Sequence, residues 1–160
     1  MEEKLRKLML AMIAYNNGDA KRIQHFIKVH ALAKLIGEEE KLDAKTLYIL
    51  EAAALTHDIG IRNSEKKYGT CTGKQQEVEG PPEAEKLLQS LGFDAAVTER
   101  VCCLIAHHHT YNNIDSADYQ ILVEADFLVN LYEDVKTAYS RIFKTQAGKN
   151  ICRTMYGLAE

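Results

Sequence analysis

Several familiar signals are missing from this chain. Four cysteines, Cys71, Cys102, Cys103 and Cys152, form neither a C-x-x-C pair nor the even framework of a small secreted scaffold. Free thiols are expected, with adjacent Cys102 and Cys103 filling helix packing positions rather than binding zinc. An excess of positive charge is also lacking: Lys+Arg 20 against Asp+Glu 23 gives a net charge of -3. That balance speaks against nucleic acid as the main partner and against a membrane-surface binder, both of which need a basic face. No window approaches the ~18 apolar residues of a membrane span. The opening Met1-Glu-Glu-Lys-Leu-Arg-Lys-Leu-Met-Leu10 carries charge where a signal would be apolar. These absences predict a soluble, cytoplasmic chain. Strand-like alternation is scarce, and there is no internal repeat, low-complexity tract or domain linker.

Helical periodicity is what remains. A length of 160 residues with 46% hydrophobic content is enough for one core, burying roughly 70% of the unfolded surface. Leu5, Leu8, Met9, Met12 and Ile13 mark a first amphipathic helix, ended by Asn16-Asn17-Gly18. Asp19 can cap a second, with His25, Val29, Leu32 and Ile36 on its stripe and Gly37 as its close. A third begins at Asp43 or Thr46 and runs to His57-Asp58, where Gly60 stops it. The polar stretch from Arg62 to Gly80 reads as a long loop, a candidate lid or substrate loop. Pro81-Pro82-Glu83 reads as the next helix start, ending at Gly92. A further helix from about Asp94 leads into His107-His108-His109. Asp115 or Ser116 caps one from Tyr119 to Tyr132, and two short helices follow, around Ala138 to Phe143 and Ile151 to Met155. The predicted architecture is all-α, one domain over residues 1–160 with six to eight helices and its motifs within about 20–130.

Glu51-Ala-Ala-Ala-Leu-Thr-His57-Asp58-Ile59-Gly60 organises the rest. Leu47, Leu50, Ala54 and His57 share one helical stripe, so the imidazole points inward beside a carboxylate. Such a pair suits a divalent transition metal, while a satisfied core His and a helix-terminal Asp is the plainer alternative. His25 alone is more often a core residue. Asp126 lies on a buried stripe with Leu122 and Val129, where it needs a cation or full hydrogen bonding, and no basic residue is near it in sequence. Neighbouring helix residues differ by about 100° in direction, so the three histidines cannot share a face. His108 is the best placed, His107 next, and His109 is expected to face solvent. Gly69-Thr-Cys-Thr-Gly73-Lys74 has the wrong spacing and context for a nucleotide P-loop.

The ordered set resembles the HD-domain superfamily of metal-dependent phosphohydrolases. The matching phrases are Arg22-Ile-Gln-His25, Leu55-Thr-His57-Asp58-Ile59-Gly60 and Val123-Glu-Ala-Asp126-Phe-Leu, with Ile105-Ala-His107-His108 similar to the extra histidine helix of two-metal members. The resemblance implies that His25, His57, Asp58 and Asp126 hold one divalent ion (Fe, Mn, Zn, Ni or Co). No further histidine lies between Asp58 and His107, so one ion is the default; a second would rest on His107, His108 and Glu79, or Glu83. The implied reaction is hydrolysis of a small phosphate ester, a nucleotide being one candidate, by attack of metal-bound water. Asp58, His107 and His108 would handle protons and developing charge. Arg62, Lys66, Lys67 and Lys74, with the amides at the Pro82 helix start, would meet phosphate. Two other readings stay open: an HD-fold di-iron oxygenase, and a non-catalytic metal- or nucleotide-binding module. Oligomeric state is also open, a homodimer being one outcome.

Overall fold

The computed structural model describes residues 1–159. Among them are nine helices and no strand: α1 (Glu2–Tyr15), α2 (Ala20–Glu39), α3 (Ala44–Thr56), α4 (Gly60–Tyr68), α5 (Gly73–Ser90), α6 (Ala95–Ile105), α7 (Ala117–Val129), α8 (Val135–Arg141) and α9 (Gln146–Tyr156). α2 packs on both α3 and α7, and α3 also meets α1, α6 and α7; α5 joins α4 to α6 at one side. Phe26, Val29, Ala33 and Ile36 of α2, Leu50 and Ala52 to Leu55 of α3, and Ile121, Leu122, Ala125 and Phe127 of α7 form the shared core. α3 and α7 are buried on nearly every face, as near-continuous apolar runs require.

Local chemistry sets most helix starts. Asp19 accepts from Arg22 N, and Asp43 from both Lys45 N and Thr46 N, satisfying amides that have no partner within the helix. α2 passes through Gly37 instead of ending there. A Cβ on Gly37 would lie 2.8 Å from Leu47 Cδ1, so its glycine permits close helix packing.

The region expected to be a loop, Arg62 to Gly80, is mostly helix. α4 presents only Gly60 and Ser64 to the interior, a face too small and polar to show as an apolar stripe. Gly60 therefore opens a helix as well as following α3. A Cβ there would lie 2.6 Å from Gly80 N and 2.7 Å from Gln76 O, so α4 and α5 meet backbone to backbone. α5 starts at a capping box: Thr72 Oγ1 accepts from Gln75 N, and Gln75 Oε1 accepts from Thr72 N. Pro81 and Pro82 lie inside α5, which removes the anion-binding helix start expected at Pro82.

Candidate metal centre

Four donors from three helices converge where α2, α3 and α7 meet. His25 comes from the first half of α2, His57 and Asp58 from the turn that ends α3, and Asp126 from the last turn of α7. His25 Nε2 lies 3.2 Å from His57 Nε2, 3.2 Å from Asp58 Oδ2 and 3.2 Å from Asp126 Oδ1. His57 Nε2 lies 3.4 Å from Asp58 Oδ2 and 3.6 Å from Asp126 Oδ1. Donor atoms about 2.1 Å from one ion stand about 3.0 Å apart at right angles and about 3.4 Å at the tetrahedral angle. The five spacings lie in or close to that range, with His25, His57 and Asp58 all within 4.8 Å of one another and Asp126 joined to them through the two histidines.

The hydrogen-bond pattern supports that fit. His57 Nδ1 donates to Ala54 O at 2.8 Å, which fixes the tautomer and turns the Nε2 lone pair toward the other donors. Two imidazole nitrogens and two carboxylate oxygens then face one another, an arrangement that repels itself unless a cation stands between them. Four buried side-chain polar atoms lack a hydrogen-bond partner among the described residues: His25 Nδ1, His108 Nε2, Asp126 Oδ1 and Thr98 Oγ1. Of these only Asp126 Oδ1 is one of the converging donor atoms, and His108 Nε2 lies beside them, 3.5 Å from Asp58 Oδ1. Asp126 Oδ1 is near both histidines without the alignment of a hydrogen bond, as expected of an atom aimed at an ion.

The same carboxylates shift the titration of the two imidazoles. Burial alone would lower the pKa of His57, but Asp58 and Asp126 outweigh it and hold the imidazole well above its usual value. His25 is raised in the same way: burial opposes the shift, and Asp126 and Asp58 produce it. Burial likewise pushes Asp58 and Asp126 upward, yet the surrounding histidines carry both carboxyls below their ordinary range.

Around this core the histidine run divides differently from expectation. His107 is exposed, its Nδ1 bonded at 2.8 Å to Cys103 O, and it takes no part in the cluster. His108 is buried, with Nδ1 held by Ile105 O at 2.7 Å and Nε2 3.5 Å from Asp58 Oδ1. His109, expected to face solvent, is turned inward and joins Asp58 and His108 in a second cluster of donor atoms. Burial, with His108 beside it, lowers the His109 pKa to about 4. α6 ends at Ile105, so the histidines occupy a turn and a helical wheel misassigns them.

Both His109 nitrogens are engaged, Nε2 with Gln76 Oε1 at 3.0 Å and Nδ1 with the Tyr111 hydroxyl at 3.3 Å. Glu77 accepts from His109 N and Thr110 Oγ1, pinning the turn. Glu79 instead binds Lys67 and the Tyr68 hydroxyl, and Glu83 accepts from Asn63 Nδ2. Neither reaches the donors. Sequence reasoning also missed Tyr132, whose hydroxyl donates to Asp126 Oδ2 at 3.0 Å and leaves Oδ1 for the centre. No pattern in the chain marks that residue; Gln76 was discoverable only through the Thr72 capping box that starts its helix.

A cleft of about 380 Å³ opens onto His25 and Asp58 and is walled by Lys21, Arg22, Lys28 and Asn130. The cations expected there are elsewhere. Arg62 donates to Tyr15 O and lies over its ring, Lys67 is paired with Glu79, and Lys66 and Lys74 are exposed outside the cleft wall. A larger cleft of about 720 Å³ between α1, α2 and α3 contains the His30–Glu51 pair but none of the converging donors. No described helix is long and apolar enough to cross a membrane.

Comparison with known proteins agrees with the geometry. A search of curated proteins finds no match. Among solved structures, a predicted HD superfamily hydrolase from an uncultured Thermotogales bacterium is similar, with a TM-score of 0.71 and 26% identity over 95% of this chain and 84% of that one. The HD domain family model matches residues 22–145, the span that carries all four converging donors. On that match, together with the helical architecture and the His-Asp cluster it encloses, this chain belongs to the HD-domain family.

Proposed function

We propose that this protein is a metal-dependent phosphohydrolase that cleaves a small phosphate ester at a mononuclear centre held by His25, His57, Asp58 and Asp126. The observation that carries the reading is the convergence of these donors at 3.2 to 3.6 Å, with Asp126 Oδ1 buried and unpartnered. A divalent ion bound there supplies Lewis acidity and brings the pKa of a coordinated water toward neutrality. The family membership and the hydrolase description of the similar structure support the reaction class.

The chain's own residues have distinct tasks. Asp58 presents Oδ2 to the shared donor cluster and Oδ1 to His108. The Nδ1 proton of His108 is committed to Ile105 O, so Nε2 has a free lone pair that can accept a proton and, once protonated, deliver it to a leaving oxygen. Tyr132 fixes the Asp126 carboxylate. Lys28 and Lys21, which line the cleft, take the place of Arg62, Lys66 and Lys74, which do not, as partners for a phosphate.

A second ion would have only Asp58 Oδ1 and His108 Nε2 free, because His109 is bound on both sides. That favours one ion, and disfavours the di-iron oxygenase reading. The test is turnover of phosphomonoesters and phosphodiesters by protein loaded in turn with Mn, Fe, Co, Ni and Zn. Hydrolysis that requires a loaded site and fails in H57A supports the reading; loaded protein inert across the panel overturns it.

A further inference from the structure

The metal-side cleft does not end at its polar mouth. It shares Lys28 and Val129 with a second groove of about 410 Å³, whose other walls are Ala31, Leu32, Leu128 and Met155. Each flanking helix changes character along its length. On α2 the order is His25, then Lys28, then Ala31 and Leu32; on α7 it is Asp126, then Leu128 and Val129. Seven residues separate His25 from Leu32, about 10 Å along the axis at 1.5 Å per residue. A ligand lying along α2 from the metal donors therefore meets a cation first and a purely apolar wall second.

Charge and exposure agree with this polarity. Lys21 and Lys28 are exposed and form no ion pair among the described residues, whereas Arg22 is committed to Asp19 at 3.4 Å and Glu65 at 3.1 Å. Met155 on α9 is 48% exposed and forms the outer wall of the apolar groove. A bare sugar or polyol phosphate would gain nothing from the apolar walls of Leu32, Leu128 and Val129, which an apolar chain would cover.

Resting on the phosphohydrolase reading, we infer that the substrate is an amphiphilic phosphate monoester whose phosphoryl group sits between the metal donors and Lys28, and whose apolar part lies along the groove of Leu32, Leu128, Val129 and Met155. In the reaction water forms the new P–O bond, the ester P–O bond breaks, and the leaving oxygen takes a proton. The products are an apolar alcohol and inorganic phosphate.

Binding of methyl-, butyl- and octylphosphonate to manganese-loaded protein, followed by calorimetry, tests this without requiring turnover. Full burial of a methylene is worth about fourfold in affinity, so a half-open groove gives about twofold per methylene, or about eightfold from methyl to butyl. M155Q is expected to reduce the gain per methylene, and K28Q to weaken all three ligands by a similar factor. Affinity that does not change with chain length overturns the inference, as does an unchanged gain in M155Q. If M155Q instead converts a dimer to a monomer in sedimentation and leaves the gain unchanged, the groove belongs to a second copy of this chain and the inference is wrong. Parallel turnover of the matching alkyl phosphates separates the two claims. Phosphonate affinity that rises with length without hydrolysis contradicts only the phosphohydrolase reading, and hydrolysis indifferent to length contradicts only the amphiphile.

Discussion

His57 and Asp126 show how single side chains couple protonation to metal binding. Because the folded-state pKa values of His25 and His57 lie above 6.5, their contribution to apoprotein stability is complete below that pH and is lost as pH rises through the raised values. An ion must displace those protons, so apparent metal affinity should fall by about tenfold to a hundredfold per pH unit below them, according to whether one or two protons leave. Calorimetric titrations in buffers of different ionisation enthalpy count the protons; zero release contradicts the cluster. Tyr132 acts through Asp126, and Y132F should cost about 10- to 100-fold in metal affinity, the usual effect of losing a partner of a metal ligand. Unaltered affinity in that variant would mean that the carboxylate needs no such support. Periodicity turned His57, Asp58 and Asp126 inward, where such groups need a partner, but His25 alone read as a core residue, and only the resemblance joined the four into one ligand set. His107 and His109 were misjudged because helical direction does not extend beyond α6.

Among the helices, the contact between α4 and α5 is the most exposed to test. Gly60 and Gly80 allow the two backbones to meet, and G60A would force them apart. A stability loss of about 1–3 kcal/mol is expected, measured by urea unfolding; a neutral change would show that α4 can shift freely. This pair was invisible in sequence for the reason that hid α4: a buried face of glycine and serine has no hydrophobic signature. The start of α5 was hidden differently, since Pro81 and Pro82 outweighed the Thr72-x-x-Gln75 signal that sets it. Elsewhere Arg100 ties α6 to the start of α7, binding Asp118 at 2.7 Å and 2.9 Å and Asp115 at 2.8 Å and 3.0 Å. The guanidinium holds the Asp115 pKa at about 2, and it lowers Asp118 despite the opposing effect of burial. Both shifts are downward, so their stabilisation is present above the ordinary carboxylate value of 3.8 and is lost as pH falls toward about 2. Thermal melts followed by circular dichroism should show R100M less stable near neutrality and less sensitive to acid than the parent. An equal acid response in both proteins would place the acid-labile contacts elsewhere.

For the whole molecule, the site joins α2, α3 and α7, so occupation is felt by the entire fold. Metal at about 100 times its dissociation constant should add ~2.7 kcal/mol of stability, which for a chain of this size raises Tm by roughly 5–10 °C. All-α architecture and the family pattern could be read from periodicity and ligand order. The cleft and groove could not, since both depend on how α2, α7 and α9 sit side by side. Anomalous diffraction from crystals grown with about one equivalent of Mn(II), collected above and below the metal edge, gives the most direct test. The account predicts one strong peak per chain within bonding distance of His25 Nε2, His57 Nε2, Asp58 Oδ2 and Asp126 Oδ1. A peak elsewhere, or no peak with these four side chains bridged to one another by protons, would contradict it.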